Sequence, residues 1–350
     1  MMRRVALLCG AASVRAFTPG RHASARVPMR MMATTMGTTT VDPATLQVVE
    51  MDYAIKFKDG GAVVDPAPLF DQGKISFVVD HGNYLPGIHE AASTLEIGEK
   101  TTLTLPAEKA FGPDIPEMRA TAPLAAAPPG VQLGDVLQVS TGQKVRVTEI
   151  TKDSLTIDGN APHAGKELEL EATVLRRGAL GESGVAVMDV AGGCFWGMEL
   201  AFQRAAGVVG TAVGYTHGEK ANPTYNEVCS GATGHTEAVR IYYDEEQTTP
   251  AELLDVFFGR HDPTQLNRQG NDRGTQYRGG IYYHTEEQKE AAEAAIAAQQ
   301  KVYGDQEVVT ELKPAADSDF WHAEDYHQQY LQKGGQDACK TATETIRCYG

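Results

Sequence analysis

The chain has 350 residues, enough for two ordinary hydrophobic cores behind a leader, with apolar (42%) and charged (22%) fractions of a globular protein. No apolar run approaches the roughly 20 residues that a membrane-spanning helix needs. A formal net charge of −15 argues against nucleic acid and anionic membrane surfaces as partners, and the first 41 residues, with six arginines and no acid, leave an even more acidic remainder.

Arg3 and Arg4 precede a short apolar stretch, Val5 to Ala12, followed by small residues, Arg, Ser and Thr without acids. This reads as a targeting leader over 1–41. The AFTP run at Ala16–Pro19 resembles the signal-plus-transit leaders of algae with secondary plastids and implies a plastid destination. A mitochondrial presequence is the second reading, and a disordered tail on a cytoplasmic protein the third.

Over 48–177 the pattern becomes short alternating segments bounded by Gly, Pro, Asn or Asp: VVEMDYAIKF, KISFVV, KTTLTLP, VLQVS, KVRVTEI, SLTI and ELELEATVL. These predict closely spaced strands. The Pro- and Ala-rich stretch from Ile115 to Gly130 predicts an irregular connection, and RRGALGESG predicts a flexible, poorly packed linker over 178–184. Over 185–350 the types alternate. Strands are predicted at VAVMDVA, VVGTAVGY, EAVRIYY and GGIYY, and helices from Met198 to Ala206, at PAELLDVFFGR behind Pro250, and at TEEQKEAAEAAIAAQQKVYG behind a threonine cap. The expected class is α+β in two domains.

Five cysteines, Cys9, Cys194, Cys229, Cys339 and Cys348, are unevenly spread and form no CxxC pair, which fits thiol chemistry better than a disulfide framework or a zinc site. GGCFWG places Cys194 between a predicted strand and a helix start, where unpaired N–H groups and the helix dipole stabilise a thiolate. Phe195 and Trp196 beside it suggest an apolar wall able to bury a methyl group, although core packing alone accounts for aromatics. Spacing alone suits a hydrolase nucleophile or a thioredoxin-like thiol equally well. Cys229, in EVCSG, falls on a strand-like segment and reads as a buried, inert thiol.

GGCFWG, GYTHG, NPTYNEVCSGATGHTEAVRIYYD, HDPTQLNRQGNDRGTQYRGGIYY and AEDYHQQYL together resemble the A-type peptide methionine sulfoxide reductases over 185–350, and the ending IRCYG resembles plant-type members. The resemblance implies a two-layer α/β sandwich of the ferredoxin-like kind. It implies that Cys194 attacks the sulfur of methionine S-sulfoxide in oxidised peptides and proteins, leaving methionine and a sulfenic acid. It gives Glu237 the role of acid, Tyr225 and Tyr277 those of hydroxyl donors to the oxygen, Phe195 and Trp196 the methyl, and Asp272 the substrate backbone. A sulfoxide oxygen grows basic as its sulfur is attacked, so a carboxyl kept neutral in a dry pocket can donate to it. A surface glutamate, core tyrosines and an Asx turn are the ordinary readings of the same residues.

The resemblance further implies no bound cofactor, thioredoxin as external reductant, and Cys348 as the thiol that resolves the sulfenic acid; Cys339 either relays a second disulfide or is idle. His217, His235, His261, His322 and His327 form no convincing metal set and read as structural or exposed. One departure is Gly279 after Arg278, where the family carries serine.

The front segment resembles the FKBP/SlyD-like prolyl isomerases through YAIKFKDG, VVDHGNYLPGIHEAASTLEIGEK, PAEKAFG and IDGNAPHAGKELELEATV. It implies an antiparallel β domain with an insert-in-flap, binding unfolded or proline-containing chains. Tyr53, Asp65, Phe77, Leu85, Ile88 and Phe111 fall at its pocket positions. Phe111 replaces the usual tyrosine, and Leu170 stands where an aromatic is common. Twisting an amide needs only an apolar pocket, and plain barrel core is the other reading of these residues. The rival for the whole chain is a redox-responsive chaperone or isomerase on a non-catalytic reductase-like scaffold.

Overall fold

The computed structural model describes residues 40, 45–59, 73–81, 84–138, 144–160, 163–333 and 336–347. The leader expected over 1–41, apart from Thr40, lies outside the described residues, as do Asp65 and Cys348. Among the described residues, 111–165 form one compact unit, and 40–110 with 166–347 form the other.

The larger unit begins with β1 (Gln47–Phe57), β2 (Gly73–Val78), α1 (Pro86–Thr94) and β3 (Lys100–Leu105). The smaller unit holds β4 (Arg119–Pro123), β5 (Val136–Gln138), β6 (Lys144–Ile150) and β7 (Ser154–Asp158), an antiparallel sheet in the order β4-β7-β6-β5. The irregular connection expected from Ile115 to Gly130 is therefore corrected, because it contains β4. Pro123 is tolerated there since β4 is an edge strand and loses no ladder bond to a second neighbour.

The chain continues as β8 (Leu168–Ala179), completing the sheet β2-β1-β8-β3. Alternation along β1 and β8 buries Met51, Tyr53, Ile55, Leu168, Leu170, Ala172 and Val174. The poorly packed linker expected over 178–184 is also corrected. β8 extends to Ala179, and Leu180 is buried with its N–H donating to Leu46 O at 3.0 Å.

The reductase-like part runs β9 (Val185–Gly192), α2 (Phe195–Arg204), β10 (Val208–Thr216), α3 (Tyr225–Cys229), β11 (Thr236–Asp244), α4 (Pro250–Phe258), β12 (Arg268–Gln269), β13 (Asp272–Arg273), β14 (Gly279–Tyr283), α5 (Glu286–Tyr303), β15 (Glu311–Pro314), β16 (Trp321–His322) and α6 (Tyr330–Lys333). Six strands form one sheet in the order β15-β14-β9-β11-β10-β16, with only the β14–β15 pair parallel. Threonine caps start α4 and α5: Thr249 and Glu252 make a reciprocal capping box, and Thr285 Oγ1 accepts from Gln288 N–H at 3.2 Å.

The two faces of this sheet have different partners. Met188, Val190, Val213, Tyr215, Val239, Ile241 and Tyr243 pack against Phe195, Met198 and Phe202 of α2, Leu253, Leu254 and Phe257 of α4, and Ala292 of α5. On the opposite face, Val187, Ala212 and Tyr242 share a core with Leu46, Val48, Val78 and Leu180 of the front segment. The His81 ring lies 5.4 Å from the Tyr242 ring and 5.2 Å from the His322 ring. On that face Arg240 is buried in a double ion pair with Asp189, Nε–Oδ1 and Nη2–Oδ2 both 2.8 Å.

Candidate active site

Cys194 is the N-cap of α2, and no side chain of its own neighbourhood caps the helix. The cap comes from another strand: Phe195 N–H donates to Glu237 Oε2 at 3.1 Å. This remote carboxyl lets the helix begin at Phe195, three residues before the start expected at Met198. Gly193 makes the turn into it at φ +87°, and a Cβ there would stand 2.6 Å from the Gln269 side chain.

Glu237 lies on β11 opposite Tyr215 of β10, on the face covered by α2, and is 2% exposed. Burial pushes its carboxyl up to about 8, against the pull of the Phe195 N–H and with the added charge of Asp272. At neutral pH the neutral acid prevails. Tyr225 opens α3, and Tyr277 closes a 3-10 turn at Thr275–Tyr277. Both hydroxyls are pushed up, by burial first, and the charge of Glu237 acts on each. Cys194, Glu237, Tyr225 and Tyr277 thus share one electrostatic neighbourhood, and Asp272 and Cys194 both line a pocket of about 220 Å³ with Met198, Arg260 and Gln269.

Phe195 is 1% exposed, its ring 6.0 Å from Tyr215 and 5.2 Å from His327. Trp196 is half-buried, stacks on Tyr330 with centroids 3.9 Å apart, and donates its indole N–H to His327 Nδ1 at 3.1 Å. The reading of Cys229 is corrected. It ends α3 rather than lying on a strand, is half-buried, and its thiol interacts with the Tyr225 hydroxyl. The Asn-Pro-Thr-Tyr-Asn-Glu run, with Thr224 and Glu227 in a capping box, carried the helical signal that the strand-like reading overlooked.

Cys339 sits beside the far end of α2. Lys340 Nζ donates to Gln203 O, Ala205 O and Val208 O at 2.8, 2.6 and 2.8 Å, and Cys339 Sγ lies 3.2 Å from Thr341 Oγ1. Cys194 is at the other end of this ten-residue helix, about 15 Å long at ~1.5 Å per residue. Arg278, followed by Gly279, ties the Tyr277 loop down by donating to Gly234 O, Thr275 O and His217 O. Among the described residues no group of three or more His, Cys, Asp or Glu is arranged to hold a metal ion.

In the front segment Tyr53, Phe77, Leu85 and Ile88 are all buried, and Tyr84 joins Phe77 and Tyr53 with ring centroids 4.8 and 6.4 Å away. His89, 5.2 Å from Phe77, accepts the Asp80 N–H at 3.1 Å. Phe111 belongs to the smaller unit, where its ring lies 5.2 Å from that of His163. Leu170 is fully buried in β8. The sequence reading passed over Tyr84 and His89, which lie inside a quoted motif but carry no turn, charge or spacing signal of their own.

The peptide methionine sulfoxide reductase family model matches residues 186–348, and that of the FKBP-type peptidyl-prolyl cis-trans isomerases matches 39–148. Peptide methionine sulfoxide reductase A2-1 of Oryza sativa subsp. japonica is 52% identical over 172 residues, 49% of this chain and 90% of that protein. The chloroplastic peptide methionine sulfoxide reductase A4 of Arabidopsis thaliana is 53% identical over 173 residues, 48% of this chain and 66% of that protein. Among solved structures, methionine sulfoxide reductase A of Corynebacterium diphtheriae is 39% identical, covering 48% of this chain and 84% of that one with a TM-score of 0.41. Residue by residue and over nearly the whole of the first of these relatives, the chain belongs to the peptide methionine sulfoxide reductase family, with an FKBP-type domain ahead of the reductase.

Proposed function

We propose that this protein reduces methionine S-sulfoxide in peptides and proteins with Cys194 as nucleophile and Glu237 as acid. The observation that carries the reading is the bond from Phe195 N–H to Glu237 Oε2, which sets a buried, largely neutral carboxyl one residue from a thiol at a helix N-terminus. The Cys194 sulfur attacks the sulfoxide sulfur, and the S–O oxygen takes the Glu237 proton. Transfer of that oxygen to Cys194 releases methionine and leaves Cys194 as a sulfenic acid. Tyr225 and Tyr277, both held neutral, stabilise the developing charge on the oxygen. Phe195 and Trp196 wall the methyl, and Asp272, which lines the pocket with Cys194, orients the substrate backbone.

A C-terminal thiol, Cys348 or Cys339, then attacks the sulfenic sulfur, expelling water and forming a disulfide. A thioredoxin dithiol reduces it in a two-electron exchange. For Cys339 this step requires the tail to leave the far end of α2, because disulfide geometry demands Cα atoms within about 7 Å. No bound cofactor enters the scheme.

The boundaries that suit this division of labour are a leader at 1–41, an FKBP/SlyD-like domain at 48–177 with 111–165 as its flap, a connection at 178–184, and a ferredoxin-like two-layer reductase at 185–350. The front domain isomerises or binds proline-containing and unfolded chains, presenting oxidised segments to the reductase at raised local concentration. A plastid location is supported by the arginine-rich leader and by the chloroplastic designation of two relatives. The scheme is tested by reacting the full chain carrying Cys339→Ser and Cys348→Ser with one equivalent of substrate: mass spectrometry is expected to find one added oxygen on Cys194. An unmodified Cys194 beside newly formed methionine would refute it.

A further inference from the structure

The AEDYHQQYL segment has no role in the scheme above, yet it touches both sides of the site. We infer that Glu324 is a positioning residue, which sets Tyr225 on the oxygen side and Trp196 on the methyl side through one carboxylate. The inference rests on the reductase reading of Tyr225 and Trp196.

Glu324 Oε1 accepts the main-chain N–H of Tyr225 at 2.9 Å, fixing the first residue of α3. Its Oε2 accepts the Tyr215 hydroxyl at 2.9 Å, and Tyr215 pairs with Glu237 across the sheet. His327 Nε2 lies 3.9 Å from the same Oε2. His327 Nδ1 receives the Trp196 indole proton, so the proton of the neutral ring sits on Nε2 and faces Glu324. Burial keeps that ring neutral, with its pKa lowered to about 4. One carboxylate therefore accepts two hydrogen bonds, from Tyr225 N–H and from the Tyr215 hydroxyl beside Glu237, and stands 3.9 Å from His327 Nε2, which makes no hydrogen bond, on the ring that takes the Trp196 proton.

The segment is anchored without Glu324. Gln328 Oε1 accepts Val213 N–H at 2.9 Å, its Nε2 donates to Val213 O and Ala323 O, and Gln329 N–H donates to Glu199 Oε2 at 2.9 Å. A glutamine at 324 is thus expected to fold. It offers one acceptor where the carboxylate takes two hydrogen bonds, so its NH2 must face one of those donors.

The test is a double-mutant cycle in the full chain, with kcat and KM measured on a peptide methionine S-sulfoxide for wild type, Glu324→Gln, Tyr225→Phe and the pair. Glu324→Gln is expected to remain folded at the assay temperature while lowering kcat about tenfold and raising KM, and the pair to be no slower than about the worse single variant. Glu324→Asp, which keeps two acceptors, should retain more kcat than Glu324→Gln. If Tyr225→Phe turns over like wild type, the reductase reading of Tyr225 fails. If Tyr225→Phe is slow while Glu324→Gln is normal, or if the two losses multiply, the positioning role is overturned.

Discussion

Phe195 N–H and the Glu237 carboxyl are joined at 3.1 Å across 42 residues of sequence, so the group that starts the helix behind Cys194 is also the one proposed as the acid of the site. A carboxyl pushed to about 8 donates its proton below that pH and loses it above. Turnover is therefore expected to fall as pH rises through about 8. Glu237→Gln keeps an acceptor for Phe195 N–H but has no proton to give; its turnover should drop about 10²- to 10⁴-fold and the alkaline limb should vanish. Initial rates between pH 6 and 10 check both.

The same shift bears on stability. Glu237 and Glu199 are each raised to about 8, chiefly by burial. Their protonated forms favour the fold, so this contribution is complete below the unfolded carboxylate pKa near 4.5 and is lost as pH rises through about 8. Glu199→Gln is expected to flatten the decline of thermal midpoint between pH 5 and 9. An unchanged slope would show that Glu199 does not titrate in this range.

On the opposite face of the sheet, burial works against ionisation of Asp189, but Arg240 and His284 hold its carboxyl well below the usual range. Arg240→Met strands that buried charge, and a loss of about 3–5 kcal/mol in urea unfolding is expected. Arg240→Met with Asp189→Leu should recover most of it. A loss under about 1 kcal/mol for the single variant would contradict the importance of the pair.

A reductase fragment starting at Ser183 would expose Val187, Ala212 and Tyr242, which share a core with Val48, Val78 and Leu180. Its thermal midpoint is expected to fall well below that of the full chain. Substrate capture by the front domain is therefore better examined with Tyr84→Ala in the full chain. That change should slow repair of an oxidised unfolded protein and leave a short oxidised peptide unaffected; equal rates on both would remove the capture role.

Much of this was legible in the sequence because local signals agree with tertiary ones. Pro250 ahead of α4, the threonine cap of α5 and the alternation along β1 and β8 mark those elements directly. The start of α2 was misplaced because its cap is supplied by Glu237 from a distant strand, which no local pattern records. β4 was hidden by Pro and Ala, and Pro123 is accommodated because β4 is an edge strand. Cys229 was read as strand because Val and Cys mask a short helix held by its capping box. Glu324 lay in a recognised motif, but its two donors come from α3 and β10, and only the fold brings them together.

The most direct measurement is turnover of separated S and R epimers of a methionine sulfoxide peptide by the full chain and by Cys194→Ser, with a dithiol as reductant. Reduction of the S epimer alone, abolished in Cys194→Ser, is the expected result. Reduction that survives loss of the Cys194 thiol, or no reduction of either epimer by the intact chain, would contradict the assignment of Cys194 as the repairing nucleophile.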